Sequence, residues 1–271
     1  VLDSGIELIA GARVGAIESL AECARVEYEH AGEARTVLAQ IVAQADGGQA
    51  HGADTGRTTA HDYGQSALTA LVSCERADAD CAYERFTGKG PIALLPYAGR
   101  HALIWSVPQP GVQALLEMDE PAFCHALSQC FGERIGAVAL HGGRAPFALQ
   151  MRFAHRIAGK RHALIGNAAQ TLHPVAGQGF NIGLRDAFEL ARALAQSRRQ
   201  GQALLGGLER YRAGRRIDRA GGTLFTDFLV RMFSNDDPVL AAARSAGLFL
   251  FDASGPAKRF LMRRMIFGSR G

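Results

Sequence analysis

Gly166-Asn167-Ala168-Ala169-Gln170-Thr171-Leu172-His173-Pro174-Val175-Ala176-Gly177-Gln178-Gly179-Phe180-Asn181-Ile182-Gly183-Leu184-Arg185-Asp186 is the stretch that decides how this chain is read. Before it lies Arg161-His162-Ala163-Leu164-Ile165, a short apolar run that reads as a strand. After it, Ile182, Ala187, Leu190, Ala191 and Leu194 recur at helical spacing, which predicts a helix from Phe180 to Arg199. A strand, a loop rich in Gly, Pro and Asn over 166–179, and a helix together present backbone N–H groups to an anion. Gly177 and Gly179 let the backbone approach a flat ligand closely. The helix start offers unpaired N–H groups and the positive end of a dipole. An anion, or a ring system that becomes anionic during reaction, would be stabilised there. Asn167 falls just past a strand end, where ligands of open α/β sheets bind.

Towards the N-terminus, Ala12–Ile17, Ala24–Tyr28 and Val37–Ala43 are β-rich runs, with a hairpin turn expected at His30–Gly32. The third run ends in Ala45-Asp46-Gly47-Gly48, and residues 48–59 read as a loop. Ala67–Cys74, Cys81–Phe86, Ile92–Pro96 and His101–Val107 are short β-type runs whose spacing predicts an antiparallel sheet. Pro108-Gln109-Pro110-Gly111 reads as a breaker, Pro121–Phe131 as a short helix, and residues 145–157 as extended chain. Residues 203–271 read as helical, interrupted at Gly221-Gly222, Asp237-Pro238 and Ser254-Gly255-Pro256. The chain opens without Met, inside a helix-to-strand passage, so residues upstream are expected.

Charge and cysteine usage exclude several classes. The formal charge of +4 is mild and spread out, without the concentrated basic face of a nucleic-acid binder. The single basic cluster, Lys258-Arg259-Phe260-Leu261-Met262-Arg263-Arg264-Met265-Ile266-Phe267, is amphipathic and could lie on an anionic membrane surface or pack with a solvated basic side. The five cysteines form no CxxC pair, and no His or Cys pair has zinc-like spacing, so no metal is expected and a reduced, cytoplasmic compartment is. GxSxG and P-loop motifs do not occur, which leaves hydrolase and NTPase readings without an anchor.

The 166–186 stretch resembles the second flavin-binding motif of the flavin-dependent aromatic hydroxylases, the class typified by p-hydroxybenzoate hydroxylase. It is most similar to the ubiquinone-biosynthesis branch, the 2-polyprenyl-6-methoxyphenol hydroxylases. His61-Asp62-Tyr63-Gly64-Gln65, Tyr83-Glu84-Arg85-Phe86, Gly90-Pro91-Ile92-Ala93-Leu94-Leu95-Pro96 and Phe233-Ser234-Asn235-Asp236 resemble the same branch, so the likeness covers nearly the whole chain. The resemblance implies an FAD site formed by Gly166, Asn167, Pro174, Gly177, Gln178, Gly179, Phe180 and Asn181. Asn167 stands where the class more often has an Asp that bonds the ribityl chain. Asp46-Gly47 matches the middle Asp-Gly motif, although Gly48-Gln49-Ala50-His51 replaces the Ser and Arg that usually follow.

The GxGxxG fingerprint for the ADP pyrophosphate does not occur. In Gly177-Gln178-Gly179-Phe180-Asn181-Ile182-Gly183 the third glycine is one place late and the pattern follows a loop. Residues 1–271 alone are therefore expected to bind FAD weakly or not at all.

The fold expected is α/β (or α+β). Residues 1–57 and 151–200 would form a partial Rossmann-like FAD domain, 58–150 an inserted antiparallel substrate sheet, and 201–271 a helical tail. By resemblance the protein is an FAD-dependent monooxygenase that uses NAD(P)H and O₂ to hydroxylate a phenolic ring, with a prenylated phenol of ubiquinone biosynthesis as substrate. It would be cytoplasmic or peripheral at the inner face of the membrane, with contact through 258–267 and a place in a biosynthetic complex. A flavin hydroxylase for another aromatic compound and a non-catalytic subunit are the alternatives. No side chain is identified as a catalytic base: His173 reads as a loop brace, Arg185 as solvated or loop-pairing, Asp186 as orienting the preceding loop, and Tyr83, Arg85 and Trp105 as sheet packing.

Overall fold

A computed structural model describes residues 5–47, 56–172, 178–233 and 237–268. Strands β1 (Arg13–Ser19), β2 (Ala24–His30) and β3 (Glu33–Ala39) form an antiparallel sheet in that order. The β2–β3 hairpin closes through Ala31 (φ 55°) and Gly32 (φ 80°), two successive left-handed residues, as a tight hairpin requires.

The run 37–43 is not one strand. β3 stops at Ala39, and β4 (Val42–Gln44) begins a different sheet. The division is fixed by Arg161, whose Nη1 donates to Gln40 O at 3.2 Å and whose Nη2 donates to Ala21 O at 2.6 Å. β4 then pairs in parallel with β10 (His162–Leu164), with Val42 opposite His162 and Gln44 opposite Leu164.

The large sheet is built from β5 (Thr58–Cys74), β6 (Tyr83–Thr87), β7 (Gly90–Tyr97), β8 (Arg100–Pro108), β9 (Val138–Ala154) and the short β11 (Gln170–Thr171). Its order is β11-β9-β5-β8-β7-β6, with every neighbouring pair antiparallel. β5 carries a bulge between Asp62 and Gln65. There Gly64 (φ 62°) supplies the left-handed backbone and donates its N–H to Asp62 Oδ1 at 2.8 Å.

One face of this sheet is covered by α1 (Gln109–Glu117) and α2 (Glu120–Phe131). Leu68, Val72, Ile92, Leu94, Leu103 and Trp105 pack there against Leu115, Phe123, Leu127 and Phe131. Each fully buried large apolar side chain contributes roughly 1.5–3 kcal/mol. Trp105 is therefore core, its ring centroid 6.0 Å from that of Phe123 and tilted against it. Helix α1 corrects the expectation of a break at 108–111. Pro108 caps the helix and Pro110 sits in its first turn, where a missing N–H costs nothing. Pro121 plays the same part in α2, behind the Asp119 cap that accepts from Ala122 N.

The C-terminal half is helical: α3 (Gln178–Arg199), α4 (Leu204–Phe233), α5 (Pro238–Ala253) and α6 (Gly255–Phe267). A second core joins Ala154, Ile157, Ala163, Leu164 and Ala169 to Leu190 and Ala193 of α3 and to Leu208 and Tyr211 of α4. Gly221-Gly222, expected to interrupt, lie inside the continuous α4. A Cβ on Gly222 would lie 3.0 Å from Ile182 Cδ1, so this glycine makes room for α3. The caps at Asp237 and Ser254 do separate α4, α5 and α6. Among the described residues no helix is long and apolar enough to cross a membrane.

Candidate functional site

The parallel pair β4–β10 sets the site. Both strands run the same way, so Asp46-Gly47 after β4 and Gly166-Asn167 after β10 emerge at one edge. Ile165 N donates to Gln44 O at 3.0 Å just before that edge. Carboxyl ends of parallel strands are where ligands of such sheets sit. Gly47 adopts φ 84°, and its carbonyl accepts from Arg152 Nη1 of β9 at 3.4 Å. Asp46 is exposed and accepts from Gln44 Nε2 at 2.9 and 3.1 Å.

Gly166 (φ 59°) begins a single 3-10 turn through Ala168, and Asn167 is exposed beyond it. Gln170 and Thr171 then pair with Phe153 and Arg152 as β11. Within the stretch expected as a loop over 166–179, Gly166–Ala168 thus form a turn and Gln170-Thr171 the edge strand of the large sheet. α3 returns close behind it: a Cβ on Gly183 would lie 3.3 Å from Gly166 Cα, a tight contact that the glycine avoids.

A buried ionic group holds this turn from behind. Asp186, fully buried on α3, accepts from Gly166 N at 3.0 Å, Gln170 Nε2 at 2.6 Å and Arg215 Nε at 2.7 Å. Arg215, only 1% exposed, also donates to Asp218 Oδ2 at 2.6 Å. Arg219 donates to Gln170 Oε1 at 2.5 Å and to the carbonyls of Ala154 and Ala169 at 2.7 and 3.1 Å. Its guanidinium lies 4.2 Å from the Phe153 ring centroid. Burial pulls the Arg219 pKa down to about 10, with Asp186 pulling the other way, so the group stays charged at neutral pH. Tyr211 donates to Leu164 O at 2.8 Å, and burial pushes its phenol far above the usual range.

Asp186 therefore orients the loop ahead of it, the part its sequence position suggested. Arg215, Arg219 and Gln170 went unnoticed in the sequence. The signal was the stripe Leu208, Tyr211, Arg215, Arg219, Gly222, spaced as one helix face. Two arginines on an apolar stripe need a buried carboxylate. Arg185 is half-buried and pairs with α6: it donates to Met265 O at 3.0 Å and to Ile266 O at 3.3 Å, at the end of that helix.

Gln178, Gly179, Phe180 and Asn181 come first among the described residues of α3, and the N–H groups of a helix's first turn find no partner within the helix. Phe180 is 75% exposed, Asn181 is half-buried, and a Cβ on Gly179 would meet nothing within 4 Å. Open space beside Gly47 and Gly179, next to a helix N-terminus, suits a flat ring whose edge gains negative charge. The residues present thus fit the flavin ring that the sequence suggests. Pro174, Gly177 and His173 lie outside the described residues, as does Phe233-Ser234-Asn235-Asp236 apart from the backbone of Phe233.

This mixed fold of helices and sheets has counterparts among solved structures. It is shared with the solved structure of OxyS, the anhydrotetracycline hydroxylase from Streptomyces rimosus. That likeness has a TM-score of 0.68 and 21% identity, over 98% of this chain and 53% of that one. The chain belongs to the FAD binding domain family, whose model matches residues 5–220. Its relatives include ubiquinone hydroxylase UbiL of Rhodospirillum rubrum, 39% identical over 240 residues, which are 85% of this chain and 55% of that protein. Another is the 3-demethoxyubiquinol 3-hydroxylase of Escherichia coli, 32% identical over 228 residues, 82% of this chain and 58% of that protein. The chain spans little more than half the length of these relatives.

Proposed function

We propose that the protein is an FAD-dependent monooxygenase that hydroxylates a phenolic ring with NAD(P)H and O₂. The observation that carries this reading is the edge where Asp46-Gly47, Gly166-Asn167 and the start of α3 converge, held from behind by Asp186. Bound FAD would supply hydride acceptance and oxygen activation. The chain's own part is positional. N–H groups of Gln178 to Asn181, with Pro174 and Gly177 just before them, would face the ring edge that gains charge. Gly166 and Asn167 would lie along the ribityl chain, and Asp46 beside the ring. In this reading 1–57 and 151–200 contribute to the FAD domain, 58–150 to the substrate domain and 201–271 to a helical region.

The names of the relatives favour a ubiquinone precursor, a prenylated phenol, as substrate. Such a substrate is lipid-soluble, so we place the protein peripherally at the inner face of the membrane, in contact through 258–267 and within a biosynthetic assembly. The test is flavin uptake followed by turnover. At the full length of its relatives the protein should take up FAD, oxidise NAD(P)H faster when a prenylated phenol is added, and yield a product heavier by one oxygen atom, whereas residues 1–271 alone should bind FAD weakly or not at all. Gly179→Val fills the open space beside the helix start and should weaken FAD binding at least about tenfold with the fold intact. Tight FAD binding in that variant would remove the ring from this position. FAD uptake without phenol-stimulated NAD(P)H oxidation would favour a non-catalytic role, and stimulation only by other aromatics would replace the substrate.

A further inference from the structure

A hollow of about 580 Å³ opens between the end of β9 and one face of α4, a size that suits a small molecule. Phe153 and His155 line it from the sheet side, and Arg212, Ala213, Arg216 and Arg219 from the helix. Glu209, Arg212, Ala213, Arg216 and Ala220 recur at three- and four-residue spacing, so they share one face of α4. Ala213 and Ala220 are short and exposed, which keeps the space between the arginines open.

Charge in this hollow is unbalanced. Three guanidiniums line it against one carboxylate, Glu209, which lies 2.7 Å from Arg212. Both members of that pair are exposed, so it holds weakly. Arg216 is exposed and has no side-chain partner among the described residues. Arg219 is only 6% exposed. Its Nε and Nη2 donate to Gln170, Ala154 and Ala169, and Phe153 covers one face of its guanidinium. Those bonds leave Nη1 as its free donor edge. Guanidinium forks match the oxygens of phosphates and carboxylates. Two forks from successive turns of α4 offer donors on two sides, which suits the three terminal oxygens of a phosphate ester better than the two of a carboxylate. The Phe153 ring supplies an apolar wall against which another ring can stack.

We propose that this hollow binds a small aromatic phosphate ester, with its phosphate held by Arg216 and by Nη1 of Arg219 and its ring against Phe153. Arg219 also holds Gln170 of the turn at 166–171, so an occupant here would share an arginine with the support of the flavin site. The proposal does not rest on the flavin reading and is tested without flavin.

The experiment is calorimetric titration of residues 1–271 with phenyl phosphate, inorganic phosphate and benzoate. Phenyl phosphate should bind most tightly, and added salt should weaken it. Arg216→Gln should weaken phenyl phosphate at least about tenfold, through loss of a charge-assisted hydrogen bond. Glu209→Gln releases Arg212 and should tighten binding about threefold. Lys89→Gln makes the same charge change as Arg216→Gln at the β6–β7 turn and should leave binding as in the parent protein. All three positions are exposed, so melting followed by circular dichroism should be unchanged. In nitrogen-resolved NMR the side-chain signals of Arg219 should move with the same midpoint as the calorimetric titration. No binding of phenyl phosphate, equal weakening by Arg216→Gln and Lys89→Gln, or unmoved Arg219 signals overturns the proposal. So does inorganic phosphate or benzoate binding as tightly as phenyl phosphate, since the first takes the ring off Phe153 and the second leaves no preference for phosphate.

Discussion

Asp186→Asn is the sharpest perturbation the structure offers, because it changes one atom in a site with no spare partner. The carboxylate is fully buried and accepts from Gly166 N, Gln170 Nε2 and Arg215 Nε. An amide of the same shape has one acceptor oxygen and one donor nitrogen. If its oxygen faces Arg215, its NH₂ meets two donors, Gly166 N–H and Gln170 Nε2. If it turns the other way, the NH₂ meets Arg215 Nε. Either way a buried donor goes unpaired, at a cost of about 1–3 kcal/mol. Removing one partner of a buried ion pair costs about 3–5 kcal/mol, and Arg215 retains Asp218, which puts this case near the lower end. About 3–4 kcal/mol follows, or a fall in Tm of about 10 °C for a chain of this size. Thermal and urea unfolding followed by circular dichroism measure it, and hydrogen exchange at the Gly166 amide reports the lost bond directly. Asp186→Asn combined with Arg215→Met should be less harmful than the sum of the two changes. A melt within about 2 °C of the parent protein, or unchanged protection at Gly166, would refute the account of how this turn is held.

Other outcomes follow from single positions. Tyr211 has an ordinary pKa of 10.0 and a much higher one when folded, so its phenol ionises only on unfolding. Stability should then fall as pH rises above about 10, by up to about 1.4 kcal/mol per unit from this group. Tyr211→Phe should cost about 1–2 kcal/mol at neutral pH, for the lost bond to Leu164 O, and should flatten that alkaline slope; an unchanged slope would contradict the assignment. Gly90→Ala puts a Cβ 2.6 Å from Ser106 O at φ 136°, and should cost about 3 kcal/mol or more in urea unfolding read by Trp105, the sole tryptophan. Among the free cysteines, burial raises the pKa of Cys74, Cys124 and Cys130, lowering their thiolate fraction, while Cys81 is exposed. Alkylation followed by peptide mapping should therefore label Cys81 first, and early labelling of Cys130 would count against the packing of α2.

What could be read in the sequence divides by range. Helix α2 and the helix after the glycine-rich turn were legible to within two residues, because caps and apolar spacing are local signals. Helix α1 was missed because Pro110 was weighed as a breaker without asking whether it sat in a first turn. β10 lies inside the apolar run Arg161–Ile165 that read as a strand, whereas β4 and β11 are three and two residues long, too short for any periodicity. Their identity lies in partners more than 100 residues away for β4–β10 and in the return of β9 for β11. The same holds at the site. Gly166 and Asn167 announced themselves by composition, whereas Gln170, Arg215 and Arg219 act only once α4 is folded against the turn.

That difference bears on how the site would work. Among the described residues, the front of the turn presents Gly47, Gly166, Asn167 and the first residues of α3. Asp186, Arg215 and Arg219 hold it from behind. Donors placed this way are held before any ligand arrives, so they lose no order when negative charge develops beside them. Arg219 extends the same hold into the large sheet, since it joins Ala154 of β9 to Ala169 and Gln170 and lies on Phe153. The turn and the end of β9 are thus one rigid piece.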